Sequence, residues 1–332
     1  MKSNLALRIM ITTLLLSSMV GSIVNPAFAQ TSKSSHDPKT KPGIMLLIFD
    51  PIIQSRGNKT LVTVEGWNSP LELSRLYAMT LRETSGGYVN YVTRVVMEVD
   101  GYPVKSNGHI FTDEEYLQCL ANSSGPNCSL LIDYNLLIQD FGVCDLVNKN
   151  KISELWLWGG PWMGFYEAVQ AGPDAISTNG PPVIGTGCRK TLDIMGFNYE
   201  RGVPEMLESF AHRVEGNMVH VYGPRLPNEN TPWNKFTLLD IDIPERGGCG
   251  TAHLAVNASP GAQYDRENLR PVASDCDDFL NYPNLTGTFN SINCSAWGCT
   301  ALTYLKWWLN HLPRANGQTN GKLNNWWKYV IH

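Results

Sequence analysis

The chain is predicted to fold as an α/β domain: a mostly parallel sheet with flanking helices, three layers deep, carrying a disulfide-rich irregular C-terminal cover. Three observations predict this. The runs Gly43–Phe49, Glu154–Trp158 and Leu192–Phe197 are apolar almost without alternation, as strands buried on both faces are. Helical apolar spacing separates them, which is the pattern of parallel strands joined by right-handed crossovers. After residue 224 periodicity fades, and Pro, Asn, Gly and Cys dominate.

The N-terminus reads as a targeting segment. Lys2 and Arg8 precede an apolar core, and Ala27-Phe28-Ala29 forms a small-residue cleavage site, so residues 1 to 29 are expected to be a signal peptide. Residues 30 to 42 form a flexible polar lead, 43 to 224 the α/β core, and 225 to 332 a Cys- and Trp-rich segment packed on it. No later run is long enough to span a membrane. The expected location is therefore secreted or at the cell surface.

Eight cysteines in an exported chain favour disulfides over free thiols. Cys119/Cys128 and Cys294/Cys299 are near enough in sequence to close small loops, whereas the pairing of Cys144, Cys188, Cys249 and Cys276 stays open. Six N-x-[ST] sequons, at Asn58, Asn122, Asn127, Asn257, Asn284 and Asn293, make a glycoprotein an expectation. The net charge is −4, with 26 basic and 30 acidic residues and no block of one sign. Nucleic acid is excluded as a partner, because it demands a basic patch. Five of the ten tryptophans lie beyond residue 296, where they either stack on sugar or fill a core.

In chain order, the first strand ends on Asp50-Pro51. Ser69 is an N-cap and Pro70 an N1 proline for a helix closed by Gly86-Gly87. Val89 to Val99 alternates as a second strand. Thr112 opens a helix with Glu115 at the capping-box position. Asp133 to Val147 reads as one helix leading into Glu154–Trp158. Met163 to Ala171 reads as a short helix carrying Glu167. A polar turn, Asn198 to Gly202, then follows the strand at 192 and opens a long helix. In the last third, Phe236 to Ile243 is a strand candidate, and Thr300 to Leu312 is helical.

Open parallel sheets bind ligands beyond the carboxyl ends of their strands. Asp50, Trp158-Gly159-Gly160 and Asn198 to Arg201 collect there. On the long helix, Glu205, Glu208, His212 and Glu215 form one stripe at 3-4-3 spacing. Glu208 and His212 can face one cation, with His253 as a donor from a Gly- and Cys-flanked loop and Glu215 as a fourth. This donor set suits a divalent metal, zinc foremost. Glu200 or Glu205 is then the base. Without a metal, Asp50 paired with Glu200 or Glu167 is an acid–base dyad for glycoside hydrolysis. The bland reading of the stripe is a solvated helix face. No dinucleotide fingerprint, P-loop, H-E-x-x-H or G-x-S-x-G occurs.

The segments DPIIQSRG, VEGWNSP, ELWLWGGPWMGFYEAVQAGP, DIMGFNYERGVPEMLESFAHRVE, CGTAHLAVN and LNNWW resemble a family of exported domains, often attached to cell-surface or carbohydrate-binding modules. The resemblance covers nearly the whole mature chain and implies export, with no activity to carry over. Ala168 and Gln170 depart from the Ser and Met of that pattern, which counts against activity if the residue after Glu167 takes part in it. The expectation is a metal-assisted hydrolase acting on cell-surface glycan or peptide, with Arg201 and Glu167 near the chemistry. The alternatives are a non-catalytic carbohydrate-binding protein that uses its Trp clusters, or an envelope component.

Overall fold

A computed structural model describes residues 39 to 332. The signal-peptide reading and most of the lead lie outside the described residues. Five strands form the central sheet: β1 (Gly43–Phe49), β2 (Val92–Val99), β3 (Glu154–Gly159), β4 (Ala168–Ala171) and β5 (Leu192–Asn198), in the order β2-β1-β3-β5-β4. The first four in that order run parallel, and β4 is antiparallel to β5. The fold class is as the apolar runs predict, and β1 and β3 are buried at every position.

The longer helices are α1 (Pro70–Thr84), α2 (Asp113–Asn122), α3 (Tyr134–Asp140), α4 (Val143–Asn148), α5 (Val203–Tyr222), α6 (Pro232–Phe236) and α7 (Ala301–Asn310). A hairpin, β6 (Arg314–Thr319) and β7 (Lys322–Asn325), and a last turn α8 (Trp327–Val330) close the chain. Alternate strand residues face opposite layers. Trp156 and Phe197 meet Tyr77 of α1 at 4.9 and 5.1 Å between ring centres, and Tyr77 meets Phe210 of α5 at 6.4 Å. On the other face Phe49 packs edge-on against Phe141, just after α3, at 6.0 Å. Removing one such indole from water is worth roughly 5 kcal/mol.

Two caps, Ser69 and Thr112, are those the sequence names, and Thr300 adds another. Ser69 Oγ accepts from Glu72 N, Thr112 and Glu115 form a reciprocal capping box, and Thr300 accepts from Thr303 N. Four expectations change. Met163 to Ala171 is not a helix, because 168 to 171 pair with β5 as strand β4. Asp133 to Val147 breaks into α3 and α4 at Gly142, whose φ of +60° interrupts the helical path. The second strand begins at Val92 rather than Val89. Phe236 to Ile243 is no strand; α6 ends at Phe236, and its ring stacks on Trp233 at 5.7 Å.

All eight cysteines are paired: 119–128 and 294–299 as expected, with the open pairings resolved as 144–188 and 249–276. Four disulfides fit an extracellular protein. No helix among the described residues is long and apolar enough to cross a membrane. The C-terminal segment shares the core: Trp308, Trp326 and Trp327 are fully buried, and Trp327 stacks on Phe210 at 5.8 Å. These tryptophans are therefore no sugar platform. Of the sequons, Asn58, Asn122 and Asn284 are exposed. Asn257 is fully buried and donates to the carbonyls of Asn268 and Arg270, so it has no room for a glycan.

Helix α5 also carries a buried ion network at the amino ends of β3 and β5. Arg213 meets Glu154 at 3.0 Å and Asp193 at 2.7 Å, and it donates to the Val330 carbonyl. Tyr91, Trp156, Gln170 and His332 supply further hydrogen bonds to the two carboxylates. Burial works against the Asp193 charge, but Arg213 and His332 outweigh it and hold its carboxyl below the usual range.

Candidate metal centre

One residue before Arg213, the same helix turns a different face outward. Glu208 and His212 lie one turn apart on α5, and the loop at 249–254 brings His253 against them. His212 Nε2 and His253 Nε2 are 2.9 Å apart, and His253 Nε2 is 3.2 Å from Glu208 Oε1. These are the three residues among the described ones whose donor atoms converge as a metal set. A tetrahedral zinc with bonds of about 2.0–2.1 Å holds its ligand atoms about 3.3 Å apart, so the spacing fits.

The loop is built to present His253. Cys249 is tied to Cys276, Trp308 Nε1 donates to the Gly250 carbonyl, and the Tyr304 hydroxyl lies 2.8 Å from the Thr251 and Leu254 carbonyls. Gly250 sits at φ +83°, and a Cβ there would fall 2.4 Å from the Leu254 oxygen, so the bend requires glycine.

Supporting groups fix the donors. Glu215 Oε2 is 2.9 Å from His212 Nδ1, and its Oε1 accepts from Ala252 N. With the His212 proton on Nδ1, the Nε2 lone pair faces the cluster. Glu215 is therefore not a fourth ligand: both its oxygens are engaged behind the imidazole. The guanidinium of Arg266 bonds Glu208 Oε2 at 2.9 Å and the Ala252 carbonyl at 2.5 Å, leaving Oε1 turned to His253. The Tyr264 ring lies 4.9 Å from that of His253. The stripe is half-buried rather than a solvated face, with 15% of the Glu208 and of the His212 side chains exposed.

Glu167 reaches the cluster from the opposite side. It precedes β4, and its Oε2 is 3.5 Å from His212 Nε2. Asn179 exchanges hydrogen bonds with it through backbone and side chain. Burial pushes the Glu167 carboxyl up, partly offset by His212. For His212, burial opposes the charge, but the bond to Glu215 and the nearby carboxylates outweigh it and raise its pKa.

A cleft of about 450 Å³ adjoins the cluster beyond the carboxyl ends of β3 and β5, lined by Trp162, Glu167, Asn198, Arg201, Glu205 and Glu208 among others. The remaining expected site residues divide. Arg201 is in the cleft. Glu205 is there too, but its carboxylate caps α5 by accepting from Gly202 N. Glu200 and Asp50 are not part of the lining. Glu200 bonds Asn198, and Asp50 accepts from Val62 N, which makes both of them local fastenings. No dyad of Asp50 with Glu200 or Glu167 forms in the cleft. Arg266, Tyr264 and Trp162 went unforeseen, since each lies in a loop without periodicity. The Glu167 contact is equally nonlocal. No family model matches the chain, and no curated protein or solved structure matches it.

Proposed function

We propose that the protein is a metal-dependent hydrolase that opens an acyl bond, amide or ester, in a cell-surface glycan or peptide. The observation that carries this is the convergence of Glu208, His212 and His253, from a helix and a disulfide-closed loop, with Glu215 and Arg266 engaging the outward atoms of the first two. Two imidazoles and one carboxylate suit zinc, and a zinc ion held there would supply Lewis acidity and a water of lowered pKa.

Glu167 is the base. It lines the cleft, lies next to His212, and makes no ion pair with a Lys or Arg among the described residues. Its carboxylate takes a proton from water as the water oxygen joins the acyl carbon. It returns that proton to the amine or alkoxide as the C–N or C–O bond breaks. Glu205, bound at the helix start, is left out of this role.

Elemental analysis of the purified mature protein tests the centre: one zinc per chain is expected, lost in His212→Ala and in His253→Ala. Hydrolysis of acylated oligosaccharide and peptide substrates should fall at least 100-fold in Glu167→Gln with zinc retained. A protein that takes up no Zn, Fe or Mn, or whose turnover ignores Glu167→Gln, overturns the reading. Saturable glycan binding with no turnover would favour a non-catalytic role.

A further inference from the structure

The cleft is lined by one indole and one guanidinium, Trp162 and Arg201, and among the described residues the first pairs with no other ring and the second with no carboxylate. We infer that it takes an acidic sugar, whose ring stacks on the Trp162 indole and whose carboxylate pairs with Arg201; this rests on the hydrolase reading of the same site.

Trp162 has φ +67°, a left-handed conformation that costs a bulky residue on the order of 1–3 kcal/mol. The surroundings enforce it. Fully buried Lys105 donates from Nζ to the Trp162 carbonyl at 2.5 Å and to the Leu130 carbonyl at 2.8 Å. Gly164, two residues on, has φ +90°, and a Cβ there would lie 2.3 Å from the Leu130 oxygen. Strain concentrates where backbone is held for a purpose. The side chain so held lines the cleft, is only partly buried, and pairs with no other aromatic ring among the described residues. The C-terminal tryptophans behave oppositely, since Trp308, Trp326 and Trp327 interlock with other rings in the core. A partly exposed indole at the wall of a cleft is a surface on which a sugar ring can stack.

Arg201 is held at its backbone and free at its tip. Its N–H donates to the Asn198 carbonyl, and its own carbonyl accepts from Asn68 Nδ2 at 2.9 Å. Its exposed guanidinium makes no ion pair among the described residues, whereas Arg266 is committed to Glu208. A fork of donors in a cleft suits a carboxylate bound bidentately. The volume is in the range of small-ligand sites.

An extended peptide fits less well. Peptides beside a sheet dock by adding a strand, and the sheet edge nearest Glu167 is β4. That edge is already covered: Gly180 N donates to the Ala168 carbonyl and Val183 N to that of Gln170. A chain entering the cleft finds an indole and a guanidinium there, and no row of open backbone groups.

Calorimetric titration of the full mature protein, supplied with zinc, with a uronic-acid tetrasaccharide, a neutral hexose tetrasaccharide and a tetrapeptide tests this. The uronide should bind at least tenfold tighter than the neutral sugar. Arg201→Ala should erase that preference, and Trp162→Ala should weaken both sugars at least tenfold. Trp162→Tyr should keep most of the binding, so a misfolded alanine variant leaves the test intact. Equal affinity for acidic and neutral sugars, or tight binding of the peptide alone, overturns the inference. Zinc content is measured in the same samples. Discriminating uronide binding without zinc leaves the cleft assignment standing and sinks the hydrolase reading; one zinc per chain without discrimination does the reverse.

Discussion

His212 and Arg213 are consecutive residues on one helix, and the two ionic clusters they anchor solve opposite problems. Arg213 points into the dry layer between α5 and the sheet, where two carboxylates, a backbone carbonyl and an imidazole surround the cation and its partners. Every charge has an opposite charge at contact. His212 points to the flank, where His253, Glu208 and Glu167 bring lone pairs to one place while Glu215 takes the proton on the far nitrogen. The first cluster is balanced in charge as it stands, although Arg213 Nε has no hydrogen-bond partner. The second brings together Glu208, His212 and His253, three residues that could hold a metal ion. A closed ion network is thus the signature of architecture, and an open one of a site.

That contrast can be broken or sharpened by measurement. Arg213→Met leaves Glu154 and Asp193 buried without their cation and should cost about 3–5 kcal/mol in urea unfolding; a loss under ~1 kcal/mol would mean that compensation is not what closes the network. His212→Ala should leave stability nearly unchanged yet weaken zinc binding more than 100-fold, read by competition with a chelator. A stability loss as large as that of Arg213→Met would make the two clusters the same kind of object. Glu215→Gln keeps the shape of the residue but weakens the bond that orients His212, and should lower zinc affinity roughly 10–100-fold.

The smallest effect tests a carboxyl elsewhere whose burial outweighs its nearby cations. Burial, with Asp278 adding repulsion, raises the Asp275 carboxyl from 3.8 to about 6. The folded chain then binds this proton more tightly than the unfolded chain, so its contribution to stability falls as pH rises from about 4 to 6 and stays low above that. Asp275→Asn should be neutral near pH 4 and stabilising by roughly 1 kcal/mol at pH 7, seen as a difference between the two unfolding curves. No change in that difference with pH would remove the effect.

Much of this was legible from local pattern. The apolar runs at Gly43, Glu154 and Leu192 become central strands because nothing but a doubly covered sheet buries both faces of such a run. Ser69 and Thr112 cap as their side chains dictate, since capping is a contact over three residues. Glu208 and His212 were readable for the same reason, being one turn apart. What failed was nonlocal. Ala168 to Ala171 looks helical by spacing, and only the hydrogen bonds with β5 make it a strand. Phe236, Leu238 and Leu239 look like a strand, but Phe236 is apolar because its ring packs on Trp308 and Trp326. Glu215 has the ligand spacing and the wrong side of the imidazole, which no spacing rule distinguishes. Arg266 and Glu167 enter the site from loops 58 and 45 residues away from Glu208 and His212, and sequence offered no reason to join them.

The Cys249–Cys276 bridge gives the proposed centre a history as well as a geometry. Two donors, Glu208 and His212, come with the helix and exist as soon as α5 is packed. The third rides on a loop whose closure depends on an oxidised bond four residues before His253. A chain in which this bridge is reduced therefore offers an ion only the helix pair, a weak grip, and offers the full set once the bridge is oxidised. Ion binding should therefore follow oxidation, and chemical reduction of the zinc-loaded protein should release the ion before it unfolds the sheet.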